Sequence, residues 1–226
     1  MYQRPVRPTR KSTTTTTTTT TAATTTTTTT EAPTTTTTTT TQQPLSNKRL
    51  HMIALNFPLS GRMGGIVGAD RLCFEQAKDA GLRGTYRAFL SSRDQHVSSI
   101  VRRQDRENVP IVNAKGEILF PNWNSIFNGS MGDFHDPEKI YSFEQRRILT
   151  DARWPVKAIW HGSSPDGSVN SHHYCVSWYT QNMAVTGAGA SLRNHRLLAH
   201  KPLSCHRSFA VLCIENSTRT LRYRKR

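Results

Sequence analysis

The chain has 226 residues, 35% of them hydrophobic, and a formal net charge of +15. Residues 12–41 are almost all threonine, and a run with so few apolar side chains cannot offset the backbone entropy lost on folding. This excludes a packed core from the first 44 residues and leaves 45–218 as one domain of ordinary composition, long enough to bury its own core.

Residues 1–44 read as a disordered basic head followed by a threonine-rich, mucin-like hinge of the kind that carries O-linked sugars. The opening Met1-Tyr2-Gln3-Arg4-Pro5 lacks the apolar centre of a signal peptide, and no apolar run approaches the ~20 residues of a transmembrane helix. For a secreted protein this is what the C-terminal part of a longer chain looks like. The domain carries 21 Lys/Arg against 14 Asp/Glu, and the tail 219–226 is basic with no acid. A surface of that sign attracts polyanions.

Along the domain, 50–56 predicts a first strand and the glycine-rich 61–68 a loop. Asp70 is the expected start of a helix that ends near Ala80 before Gly81, with Cys73, Ala77 and Ala80 on its inner face. Residues 86–91 predict a strand and 96–103 a short helix. Residues 118–120, 158–162, 174–178 and 209–215 predict further short strands, with Trp123 and Phe127 as core. The class is α+β, with one or two short helices, several short strands and long loops.

All four cysteines, Cys73, Cys175, Cys205 and Cys213, lie in the domain, and their number fits two disulfides in any of three connectivities. The absence of a CxxC pair argues against redox chemistry and the common zinc motifs. Two sequons are present, at Asn128 and Asn216. Cysteines, sequons and the threonine hinge together favour an oxidising, extracellular setting. In that setting the available polyanions are sulfated glycosaminoglycans. Nucleic acid is disfavoured, since no zinc finger, RRM or KH signature occurs.

Several segments resemble a known family together: ALNFPLSG (54–61), GAD..CF (68–74), TYRAFLSSR (85–93), SIVRRQDR with PIVN (99–113), LFPNW (119–123), WHGS (160–163) and VLCIENS (211–217). They resemble the endostatin domain at the C-terminus of collagen types XV and XVIII, over nearly the whole domain and with all four cysteines in register. The resemblance implies a C-type-lectin-like fold with a mixed sheet and nested disulfides Cys73–Cys213 and Cys175–Cys205. It also implies a secreted, non-enzymatic domain of extracellular matrix and basement membrane. Such a domain is released from its parent by hinge proteolysis, and is trimeric only where the upstream collagen region is present.

The family's ligands transfer only in part. Vertebrate endostatins hold zinc through histidines at the domain's N-terminus, a first-strand histidine and an aspartate. Here His51 matches the strand histidine, the N-terminal histidines have no counterpart, and the aspartate falls on Gly116. No zinc or other cofactor is therefore expected, and His51 reads as an ordinary strand histidine. Two arginines of the vertebrate heparin patch fall on Val67 and Tyr179, and a further basic position on Gly64. The second-helix arginines Arg102, Arg103 and Arg106 are retained, Arg87 and Arg93 match basic positions, and Arg62 lies close by.

These six arginines are the expected heparan sulfate site. The alternative for 102–107 is a helix whose arginines pair with Asp105 and Glu107. Matrix proteins and cell-surface receptors are the other expected partners. His172-His173 beside Cys175 suggests a metal or catalytic pair only weakly, because a disulfide cysteine is no nucleophile. The sugar-binding EPN, QPD and WND motifs of calcium lectins are absent, and Pro165-Asp166-Gly167 reads as a turn.

Overall fold

The computed structural model describes residues 48–217; the basic head, the threonine hinge and the basic tail lie outside the described residues. Among the described residues the strands are β1 (Leu50–Ala54), β2 (Thr85–Ala88), β3 (Ile111–Val112), β4 (Ile118–Phe120), β5 (Ala158–Trp160), β6 (Thr186–Ser191), β7 (Lys201–Ser204) and β8 (Leu212–Ser217). One long helix, α1 (Gly65–Asp79), accompanies them.

The strands form a five-stranded sheet in the order β2-β8-β1-β3-β4 and a three-stranded sheet in the order β5-β6-β7. β1 and β3 run parallel while the other pairs are antiparallel, so the larger sheet is mixed. The last strand, β8, lies between the first two, which closes the domain on itself.

Period-two alternation in β1 and β8 divides the interior. Leu50, Met52, Ala54, Leu212 and Ile214 face one apolar cluster, which also holds Trp123, Trp154 and Phe89. Ile53 and Cys213 face another, with Tyr86, Ala88, Trp160, Trp178 and Phe209. The second cluster lies under α1, whose buried positions Gly65, Ala69, Cys73 and Ala77 recur every four residues and are all small. Small side chains let the helix approach the sheet closely, and Cys73 bonds Cys213 of β8 across 140 residues. Cys175–Cys205 spans 30 residues inside that loop. This is the α+β, C-type-lectin-like arrangement with nested disulfides that the family resemblance implies.

Local expectations fare unevenly. α1 begins at Gly65, inside the run expected to be a loop, and Asp70 sits in mid-helix rather than at its start. The glycines serve close contacts: a side chain at Gly65 would run into the Tyr179 ring, and one at Gly68 into the Met63 carbonyl. At the other end, Gly81 (φ 76°) donates to the Lys78 carbonyl and Leu82 to that of Ala77, the paired bonds of a left-handed helix stop. Ala80 is the exposed C-cap and not part of the buried face.

Residues 174–178 are not a strand. Cys175, Val176, Ser177 and Trp178 all have positive φ, between 50° and 66°, and form one left-handed turn. Such a turn is costly for residues other than glycine, above all for the β-branched Val176. Contacts on both sides impose it: Trp178 Nε1 donates to the Ser91 carbonyl (2.8 Å), the Met63 N–H donates to the Trp178 carbonyl (2.9 Å), and Cys175 is held to Cys205. The helix expected at 96–103 is two 3-10 turns, Val97–Ser99 and Arg103–Asp105. Residues 164–167 do form a turn, closed by Gly167 N–H on the Ser164 carbonyl (2.9 Å).

Candidate polyanion-binding surface

The chain is extended at Arg102 (ψ 137°), which separates the two 3-10 turns. Val97, Ile100, Val101 and Asp105 are buried, and that inward set bends the segment. Asp105 is 3% exposed, and its Oδ1 accepts from Lys48 Nζ at 2.6 Å. A carboxylate taken out of water needs such a partner. Arg106 turns back on its own segment, with Nε and Nη2 donating to the carbonyls of Val101 (2.8 Å) and Ser99 (3.1 Å). It caps the turn and does not share a helical face with Arg102 and Arg103.

Those two arginines remain exposed and line a shallow groove of about 560 Å³ with Gln104, Glu107 and Asn108. Among the described residues no ion pair reaches either of them. Asp105 pairs with Lys48 in place of an arginine, which removes the alternative of a salt-bridged helix.

Arg62, Arg87 and Arg93 belong to a different neighbourhood. Arg87 lines a groove of about 260 Å³ with Val67, Ser92, Asp94 and Tyr179. Its Nε donates to Asp70 Oδ2 at 2.9 Å, and Asp70 Oδ1 accepts the Ala88 N–H at 2.8 Å. The aspartate on α1 thus holds the start of the chain's exit from β2 and neutralises Arg87. Arg62 is exposed and its backbone pairs with Tyr179. Arg93 is exposed between the groove residues Ser92 and Asp94. Val67 (76% exposed) and Tyr179 (61%) make the rim apolar where the family resemblance places arginines.

The residues around His51 do not fit a zinc ion. His51 Nδ1 lies 2.7 Å from Glu215 Oε2, a buried carboxylate on β8. Tyr86 lies on the next strand, and burial together with that carboxylate drives its hydroxyl pKa up. Gly116 has no side chain to ligate a cation, and its carbonyl accepts from Arg49 Nη1 at 3.4 Å. Among the described residues no group of three His, Cys, Asp or Glu side chains is placed to hold a metal.

His172 and His173 lie in a turn, 6.4 Å apart by ring centres, and His173 Nδ1 is 2.6 Å from Thr186 Oγ1. Cys175 is in its disulfide. Asn128 is exposed at the end of a 3-10 turn. Asn216 is half-buried in β8, with its Oδ1 accepting from Thr85 Oγ1 at 2.6 Å.

Sequence reasoning named Asp105 and Asp70 but missed their pairing with Lys48 and Arg87, which decides which arginines are free. Lys48 and Asp105 are 57 residues apart, and no local pattern couples them. Asp70 carries a visible signal, an acid beside a glycine-rich run, but that signal is also that of a helix cap. Among the described residues no helix is long and apolar enough to cross a membrane.

Comparison with known proteins gives the lineage of this scaffold. Residues 50–219 match the family described as "Collagenase NC10 and Endostatin". The human collagen alpha-1(XVIII) chain is 52% identical over 171 residues, which cover 76% of this chain and 10% of the relative. The chain therefore spans about a tenth of that relative's length, and by this match and its fold it belongs to the endostatin family.

Proposed function

We propose that the domain is an extracellular-matrix binding module, not an enzyme, that engages heparan sulfate through Arg102 and Arg103. The observation that carries this is the withdrawal of Asp105 into its pair with Lys48, which leaves two adjacent guanidinium groups exposed and, among the described residues, without a carboxylate partner. Guanidinium forks suit the geometry of sulfate oxygens, and the attraction is screened by salt. Arg62, Arg93 and the tail 219–226 add long-range charge, and Arg106 fixes the turn. Secretion to the matrix, a sugar on Asn128 and release by cleavage in the threonine hinge complete the reading.

Elution from immobilised heparin tests it. The Arg102→Ala/Arg103→Ala variant is expected to leave the column at clearly lower salt than wild type with an unchanged melting temperature. Elution of both at the same salt removes this face from the site.

A second reading, a protein-binding adhesion surface, is favoured by the exposed Val67, Val176 and Tyr179. It requires binding to matrix proteins that resists salt and is lost in Val67→Asp.

A further inference from the structure

From Gly167 to Ile214 the sequence contains no Asp or Glu, while it carries Arg193, Arg196, Lys201 and Arg207. Three of these bases converge in space. Arg193, Lys201 and Arg207 line one groove with Lys157, between the start of β5, the turn after β6 and the edge strand β7. The groove measures about 480 Å³, within the range of sites that hold small ligands, and no carboxylate lines it. Its polar complement is the pair of hydroxyls of Ser191 and Ser204, and its floor is apolar, with Leu203 and Phe209 buried beneath.

Two of the cations, Arg207 and Lys157, are held in place. The Arg207 guanidinium lies 5.5 Å over the Phe209 ring, which orients it. Lys157 Nζ donates to the carbonyls of Ile148 (3.0 Å) and Asp151 (2.6 Å), so one of its three hydrogens is left for another acceptor. Burial lowers the Lys157 pKa, Asp151 opposes that, and Arg193 lowers it further. The Asp151 carboxylate is already engaged, by Arg146 Nη1 at 3.1 Å and the Arg153 N–H at 2.8 Å. Arg193, Lys201 and Arg207 are exposed, and among the described residues none of them has an ion-pair partner. Arg193, Lys201 and Arg207 gathered beside Lys157 with no carboxylate lining the groove repel one another, and a bound anion relieves that repulsion.

We infer that this groove is a second anion-binding site, one that takes the sulfate groups of a short stretch of sulfated polysaccharide. The inference rests on the reading of the domain as a heparan sulfate binder and adds a contact surface to it. A polysaccharide fits better than a nucleic acid. The groove offers hydroxyls to a sugar but no exposed aromatic ring on which a base stacks, since Phe209 is buried.

The test uses the full chain and calorimetric titration with a size-defined heparin oligosaccharide at about 0.15 M salt. Arg193→Ser/Lys201→Ser/Arg207→Ser is the main variant, and Lys157 is kept because its amine holds two carbonyls. The triple variant is expected to bind about tenfold more weakly than wild type, the sum of several modest exposed charge contacts. Fully desulfated oligosaccharide is expected to bind wild type and variant alike. Lys201→Glu, a single exposed change, serves if the triple variant melts early, and it too must weaken binding. Wild-type affinity in these variants overturns the groove while leaving the Arg102/Arg103 reading in place. No binding by wild type overturns both. Loss of binding to a single-stranded oligonucleotide without loss of heparin binding reassigns the groove and also overturns the proposal.

Discussion

The two sheets handle charge differently. Around the five-stranded sheet most of the partly buried basic side chains are tied to carboxylates, Arg87 to Asp70, His51 to Glu215 and Lys48 to Asp105, and the exposed Arg102 and Arg103 are the exception. Around β6 and β7 of the three-stranded sheet, residues 167–214 contain no acid, and among the described residues Arg193, Lys201 and Arg207 have no ion-pair partner. A net charge of +15 is thus a poor guide to where a polyanion lands. Position is set by which carboxylates the fold spends internally. The same division appears in the covalent frame, since one disulfide anchors the large sheet across most of the domain and the other closes a short loop beside the small one.

The largest expected effects separate the two disulfides. Removing Cys73–Cys213 as the double Cys→Ala variant is expected to cost about 5 kcal/mol, because a loop of 140 residues loses much chain entropy when closed. Removing Cys175–Cys205, with its loop of 30, is expected to cost about 3.5 kcal/mol. The second bond also holds the left-handed turn, so its loss is expected to speed amide exchange at Met63 and Trp178, whose N–H groups bond into that turn. Urea midpoints decide the order, and equal or reversed losses break the comparison between the sheets.

A buried neutral histidine marks the acid-free side. His161 is fully buried, its Nδ1 accepts the Ser163 N–H at 3.0 Å, and its Nε2 meets no well-formed hydrogen-bond partner among the described residues. Burial pushes its pKa down to about 4, against an ordinary 6.5. The unfolded chain therefore takes up the proton first. The stabilisation is complete above pH 6.5 and is lost as pH falls toward 4, by up to about 3 kcal/mol. His161→Asn keeps an acceptor for Ser163 and does not titrate. Its melting temperature should fall less steeply than that of wild type between pH 6.5 and 4, and parallel curves would remove His161 as the cause.

Legibility followed the range of the interaction. β1, β4 and β5 lie within, and β2 and β8 overlap, segments whose apolar content predicts strands, because local composition and burial agree there. β6 and β7 were invisible: Thr186–Ser191 is built of glycine, alanine and hydroxyl residues, and β7 contains Pro202. Their pairing comes from neighbours and not from their own propensity. Residues 174–178 carry strand-like residues yet turn left-handed under contacts to Ser91, Met63 and Cys205. The arginine site was half legible. Arginine positions are visible in a sequence, but whether a distant Lys48 or Asp70 takes a carboxylate away from them or supplies one is a property of the fold.

The smallest expected effect is also the most discriminating. Asp70→Asn keeps an amide oxygen for the Ala88 N–H and deletes the negative charge that pairs with Arg87. Because this pair is partly solvated, stability should change by less than about 1 kcal/mol. Asp70→Ala also strips the acceptor from Ala88, and it should cost about 1 kcal/mol more. On immobilised heparin, Asp70→Asn should elute at slightly higher salt than wild type, since Arg87 is released beside the exposed Arg62 and Arg93. Adding Arg87→Ala to that variant should cancel the gain. If Asp70→Asn leaves elution unchanged, pairing with Asp70 is not what silences Arg87, and the apolar rim of Val67 and Tyr179 is the reason this groove differs from the turn at Arg102 and Arg103.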